Sequence, residues 1–166
     1  MPNKLFFLMN PVSGTTDKQR IKTLICDYLS DRNIPFEFFP TNAAGDYSLL
    51  EEKIKAEGIK DIIVIGGDGT ISQAANALRH LDINFGLIPS GSGNGLALAA
   101  GISREPVKAL DTVLNGKPSR IDAFYINGHF SCMLSGIGFD AKVAHDVSKM
   151  KKRGLLTYVT VSMKNF

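Results

Sequence analysis

The run Asp61-Ile62-Ile63-Val64-Ile65, ended by Gly66-Gly67, constrains this chain more than any other segment. Consecutive β-branched residues are crowded in a helix and at ease in a strand. Here the residues on both alternating faces are apolar, so the strand needs cover on both sides, as strands of a parallel sheet between helical layers have. Three other short apolar runs can lie beside it: Leu5 to Met9, closed by Asn10-Pro11; Phe36 to Phe39, after Pro35; and Phe85 to Ile88, stopped by Pro89. Helical patterns fill the intervals. From Asp17 to about Asp31, Ile21, Leu24, Ile25, Tyr28 and Leu29 share one stripe, while Lys18, Arg20, Lys22 and Asp27 fall off it. Tyr47 to Glu57 is a second helix with Gly58 as its stop, and further helices are expected over about Thr70 to Leu81, Gly95 to Ala100 and Glu105 to Leu114. The alternation predicts an α/β fold: an open, mostly parallel sheet with helices on both faces.

Past Gly116-Lys117-Pro118 the pattern changes. Arg120 to Tyr125 and His129 to Ser135 read as two strands joined at Asn127-Gly128, a hairpin turn signal. The expected division is an α/β domain over residues 1–118 and the beginning of a β-rich domain over 119–166. That second unit ends unfinished in the apolar stretch Tyr158 to Met163, and its open strand edges could pair with a second copy of the chain. With 166 residues, 44% hydrophobic and 21% charged, the composition is that of a globular protein and excludes disorder. Nineteen basic against sixteen acidic residues leave a net charge of +3, too little to make nucleic acid the expected partner. Cys26 and Cys132 lack metal-ligand spacing and suggest no disulfide framework, which suits a cytoplasmic setting. No run approaches the roughly 20 apolar residues of a membrane span.

In an open α/β sheet, ligands bind beyond the carboxyl ends of the strands, so the loops there carry the chemistry. Asn10-Pro11-Val12-Ser13-Gly14 follows the first strand, Gly66-Gly67-Asp68-Gly69-Thr70 the third, and Pro89-Ser90-Gly91-Ser92-Gly93-Asn94-Gly95 the fourth. Each combines glycines, which let backbone amides approach an anion, with a following helix whose positive end favours one. Asp68 is the exception. A carboxylate among phosphate-binding amides repels the anion unless a cation such as magnesium lies between them, although an aspartate here is equally at home as a turn or helix-cap residue. For that pentapeptide alone, turn and phosphate site are level readings. Gly116-Lys117 precedes Pro118 and so begins no Walker loop. Gly136-Ile137-Gly138-Phe139-Asp140-Ala141 fits a dinucleotide fingerprint but lacks a later strand ending in an acidic residue. His80, His129 and His145 read as surface or hairpin residues. Lys149, Lys151, Lys152 and Arg153 read first as a solvated helix end, and second as a contact to lipid headgroups.

Taken together, Asn10-Pro11-Val12-Ser13-Gly14, Gly66-Gly67-Asp68-Gly69-Thr70 with Asn76, Gly91-Ser92-Gly93-Asn94, and Arg120-Ile121-Asp122 with Gly138-Phe139-Asp140-Ala141 resemble the diacylglycerol-kinase catalytic-domain family. That family includes bacterial diacylglycerol and related lipid kinases and the eukaryotic sphingosine and ceramide kinases. The resemblance implies an ATP- and magnesium-dependent lipid kinase whose partners are a nucleotide and a lipid at the membrane surface. Carried over by resemblance, Asn10, Ser13, Gly14 and Thr41 would border the nucleotide, Gly66, Gly67, Asp68, Gly69 and Thr70 would wrap its phosphates, and Ser92 and Asn94 would complete the site. Asp68 would serve catalysis through the magnesium network, with Asp122 a more distant member. Gly95 stands where many bacterial members carry Asp, as in the sphingosine-kinase branch. The family's general base, remaining metal ligands and much of its lipid site lie in a C-terminal β-sandwich, expected beyond residue 166. The chain is thus expected to hold the ATP-binding half and to be inactive alone. A nicotinamide-nucleotide kinase, which shares Gly-Gly-Asp-Gly-Thr, and a non-catalytic nucleotide-binding module are the alternatives.

Overall fold

The computed structural model describes residues 4–9, 18–42, 44–133, 135–150 and 155–165. The chain forms two compact units, Met1–Cys132 and Met133–Phe166. In the first, β1 (Leu5–Met9), α1 (Lys18–Ser30), β2 (Phe36–Pro40), α2 (Ser48–Glu57), β3 (Asp61–Gly66), α3 (Asp68–Leu78), β4 (Asn84–Pro89), α4 (Gly95–Ala99) and α5 (Pro106–Asn115) precede a hairpin of β5 (Phe124–Ile126) and β6 (His129–Ser131).

The four-stranded sheet has the order β2-β1-β3-β4, and every pairing is parallel. Ile62 to Ile65 of β3 are fully buried, as a strand covered on both faces requires. Alternation divides the sheet's side chains. Leu5, Phe7, Ile63, Ile65 and Ile88 meet Ile21, Ile25 and Leu29 of α1 and Ala109 and Leu110 of α5 on one face. Phe6, Leu8, Ile62 and Val64, equally buried, point to the other face, where Lys53 of α2 lies 5.9 Å from the Phe6 ring and 5.4 Å from that of Phe39. Each fully buried large side chain contributes about 1.5–3 kcal/mol before ordering entropy is subtracted. Since β1 leads through α1 to β2 on one side, and the chain returns through α2 to β3 on the other, the strand order reverses between β1 and β3. In a doubly wound sheet that reversal opens a crevice at the carboxyl edge.

The expected elements recur with local differences. Helix α3 begins at Asp68 rather than Thr70. The segment 120–123 is exposed coil, and the hairpin pairs only three residues from each strand. Its turn has φ 48° at Asn127 and 80° at Gly128, the double positive φ that an Asn-Gly hairpin turn uses. The hairpin belongs to the first unit. Arg79, held by Asn76 Oδ1 at 2.7 Å, lies 5.3 Å from the Phe130 ring and 5.7 Å from that of Tyr125, tying the end of α3 to it.

The second unit is helical where it is described: α6 (Phe139–Ser148) and α7 (Leu155–Asn165). The apolar stretch Tyr158 to Met163 thus lies in a helix. Val161 packs with Val143 and Val147, and Asn165 donates to Asp146 at 3.0 Å. No helix among the described residues is long and apolar enough to cross a membrane.

Two predictions follow from packing and charge. A Cβ at Gly86 would come within 2.8 and 2.9 Å of the two Val113 methyls and 3.2 Å of Ile63 Cγ1. Gly86→Ala should therefore destabilise by about 1–3 kcal/mol, read by denaturant unfolding. Glu37 is held below the ordinary carboxylate range first by the hydrogen bond from Lys53 and then by that from Lys4. Its contribution is present above the unfolded value of about 4.3 and disappears as pH falls through the lower folded value. Glu37→Gln should flatten the acid limb of a stability-against-pH curve, and an unchanged limb would count against this ion cluster.

Candidate functional site at the carboxyl edge of the sheet

The two glycine loops after β3 and β4 form one unit. Gly66 ends β3 with its α-carbon so near the first turn of α3 that an added Cβ would sit 2.6 Å from Thr70 Cβ. The Ser90 amide donates to Gly66 O at 3.0 Å, continuing the ladder one residue past the end of β4. Beyond it the backbones touch: a Cβ on Gly91 would lie 2.6 Å from Gly67 Cα, and one on Gly67 would lie 3.1 Å from Gly91 Cα. Any larger residue at Gly91 would have to push the loops apart.

Asn94 closes the second loop on itself. Its Oδ1 accepts from Gly91 N at 2.8 Å and its Nδ2 donates to Gly91 O at 2.7 Å, while its backbone is left-handed at φ 58°, a region asparagine tolerates better than most residues. The side chain is buried with both polar ends satisfied. Asp68 bridges the loops: Oδ2 accepts from Gly95 N at 2.9 Å and Oδ1 from Leu96 N at 3.2 Å. Gly67 caps α3 without a side chain, so that helix presents its positive end at the same edge. Gly69, Ser92, Gly93 and Gly95 are exposed, leaving the rim of this double loop open to a ligand.

The sequence matches the Diacylglycerol kinase catalytic domain over residues 4–126. This chain belongs to that family. It is 33% identical over 162 residues to "Diacylglycerol kinase" of Bacillus subtilis (strain 168), covering 95% of this chain and 54% of that protein. To "Probable lipid kinase YegS-like" of Xanthomonas campestris pv. campestris (strain 8004) it is 29% identical over 161 residues, covering 90% of this chain and 52% of the relative. The crystal structure of a diacylglycerol kinase from Bacillus anthracis str. Sterne superposes with a TM-score of 0.63 at 24% identity, covering 77% of this chain and 47% of that one, a likeness of fold. The chain spans about half the length of these relatives.

Of the residues the resemblance assigns to the site, the structure brings Gly66, Gly67, Asp68, Gly69, Thr70, Ser92 and Asn94 into one double loop. Thr41 lies at another point of the same edge, where its amide donates to Met9 O at 3.2 Å and extends the β1–β2 ladder. Asn10, Ser13 and Gly14 lie outside the described residues, as do Lys151, Lys152 and Arg153. Asp122 lies in the exposed 117–123 connection, and no hydrogen bond or ion pair joins it to the loops among the described residues. No group of three His, Cys, Asp or Glu side chains able to hold a metal occurs among the described residues either. Magnesium takes oxygen ligands in near-octahedral geometry. Asp68 offers a single carboxylate with an amide on each oxygen, so the described residues do not by themselves make a metal centre.

Three neighbours of the site carried no sequence signal. Arg104 Nη2 donates to Gly93 O at 3.4 Å, bringing a cation to the second loop. Cys132 is buried near enough to Asp68 for the carboxylate to add to the upward pressure that burial puts on its thiol pKa. Ser90 Oγ is buried with no hydrogen-bond partner among the described residues. A buried polar atom left unpaired costs about 1–3 kcal/mol, so Ser90→Ala should leave the melting temperature unchanged or raised. At Asn94, glycine keeps access to the left-handed backbone and alanine does not. Asn94→Ala should destabilise more than Asn94→Gly, by about 1–2 kcal/mol in paired denaturant titrations.

Proposed function

We propose that this chain supplies the nucleotide-binding half of an ATP-dependent lipid kinase, which transfers the γ-phosphoryl group of ATP to a lipid hydroxyl. The observation that carries the reading is the backbone contact of the two glycine loops at the carboxyl edge of a doubly wound sheet, beside the β1–β3 reversal. Phosphoryl transfer asks a protein mainly for positioning and for stabilisation of charge on the phosphoryl oxygens. Main-chain amides at the start of α3, the Ser92 hydroxyl and the cation of Arg104 are suited to that work. Asn10, Ser13, Gly14 and Thr41 are proposed to border the nucleotide from the β1 and β2 side.

In this reading the acceptor site and the general base belong to a second domain that starts after the β5–β6 hairpin and continues beyond residue 166. The lipid is then met at a membrane surface. The B. subtilis relative's name points to diacylglycerol as the first acceptor to try.

Titrating the chain with ATP while recording amide NMR shifts tests the nucleotide half. The largest shifts should fall on Gly67 to Thr70 and Gly91 to Gly95, and Gly91→Ala, whose Cβ would lie 2.6 Å from Gly67 Cα, should weaken binding about tenfold or more. Shifts confined to other regions would reject the site. Labelled ATP offered with diacylglycerol, a sphingoid base, phosphatidylglycerol or NAD tests the acceptor. This chain alone should label none of them at a rate typical of a whole kinase, of order 1–100 per second. Rapid labelling of a lipid by these residues alone would overturn the division of labour, and labelling of NAD would move the assignment to a nicotinamide-nucleotide kinase.

A further inference from the structure

Helix α4 opens without help from its own cap residue. Asn94, in the cap position, is left-handed and has its side chain turned back onto Gly91, so it makes no capping bond to α4. The amides that open α4, Gly95 N and Leu96 N, are instead taken by Asp68, 27 and 28 positions earlier in the chain, at 2.9 and 3.2 Å. A carboxylate on the first amides of a helix is the charge-assisted form of capping. Glycines surround it closely: a Cβ on Gly93 would lie 3.2 Å from Oδ2, and one on Gly95 would lie 3.8 Å from each oxygen. Each carboxylate oxygen therefore already accepts one bond from the opposite loop, and among the described residues Asp68 belongs to no group of three His, Cys, Asp or Glu side chains that could hold a metal.

We infer that Asp68 is a positioning residue: its carboxylate clasps the Gly91–Gly95 loop to the Gly66–Thr70 loop and shapes the anion pocket before any ligand arrives, and it is not itself a protein anchor for a cation. The inference rests on the nucleotide reading above only for the identity of the anion. The clasp holds the loop amides in place in the free chain, so a polyphosphate meets donors that need no reorganisation. A divalent cation then enters with the nucleotide's phosphates rather than ahead of them.

Three measurements on this chain test it. Hydrogen exchange at the Gly95 and Leu96 amides is compared in the free wild type and in Asp68→Asn. ATP affinity is measured in EDTA for both proteins and for Gly91→Ala, which keeps the carboxylate but forces the loops apart. Mn2+ alone is titrated into the wild type and followed by relaxation. Loss of a hydrogen bond to a charged group corresponds to about tenfold or more. Protection of the two amides should fall by that factor in Asp68→Asn, metal-free ATP binding should weaken similarly in both variants, and Mn2+ alone should not saturate the wild type.

Unprotected amides in the wild type would overturn the clasp. So would saturable Mn2+ binding that Asp68→Asn abolishes while metal-free ATP binding stays at the wild-type level. If ATP binds none of the three proteins, the nucleotide reading fails, and amide exchange still decides the clasp. Should Asp68→Asn not fold, the wild-type exchange and Mn2+ measurements together with Gly91→Ala carry the decision.

Discussion

The close approach of two backbones, Gly67 against Gly91, governs the carboxyl edge of this sheet. It is possible only because β3 and β4 are held in one register, with Gly66 opposite Pro89, and because the Ser90 amide still reaches Gly66 O after β4 has ended. A slip of one residue would turn the buried isoleucines of β3 toward the wrong helical layer and bring a side chain to where the loops touch. Core burial and loop geometry are therefore one constraint. The apolar strands fix the register, and the register delivers the two glycines to each other.

Much of the α/β part was legible in the sequence because its strands are apolar on both faces and stopped by proline or glycine. Leu5–Met9 matches the expected strand in full, and Asp61–Gly66 and Asn84–Pro89 lie within a residue of expectation at each end. The glycine loops were legible as loops. Their mutual contact was not, since nothing local to Asp68 says that its partners are the amides of Gly95 and Leu96. Asn94 is similar: its type permits a left-handed backbone, but only the turn back to Gly91 requires one. In α7, Val159, Thr160 and Val161 would suit a strand, and packing of Val161 on Val143 and Val147 goes with a helix instead. Local preference yields there to tertiary contact.

Family membership and geometry answer different questions about Asp68. The family supplies an aspartate in a glycine loop and the expectation of a cation nearby. The geometry gives that carboxylate two amide partners in the adjoining loop, which makes it part of the frame of the double loop. The same division applies to Ser92, whose exposed hydroxyl is free to meet a ligand, and to the buried Asn94, whose polar groups are consumed in holding Gly91.

The sheet is open at β2 and at β4, and an open edge invites a foreign strand. On β2 that invitation is weakened. The strand is five residues long, ends in Pro40, and carries Glu37 bound to Lys4 at 2.9 Å and Lys53 at 2.5 Å. A strand arriving from another molecule would have to strip water from, or displace, that cluster of charge. These ion pairs thus guard the margin of the sheet against fibril-like stacking, whatever little they add to folding stability, and concentrated salt would lower the guard.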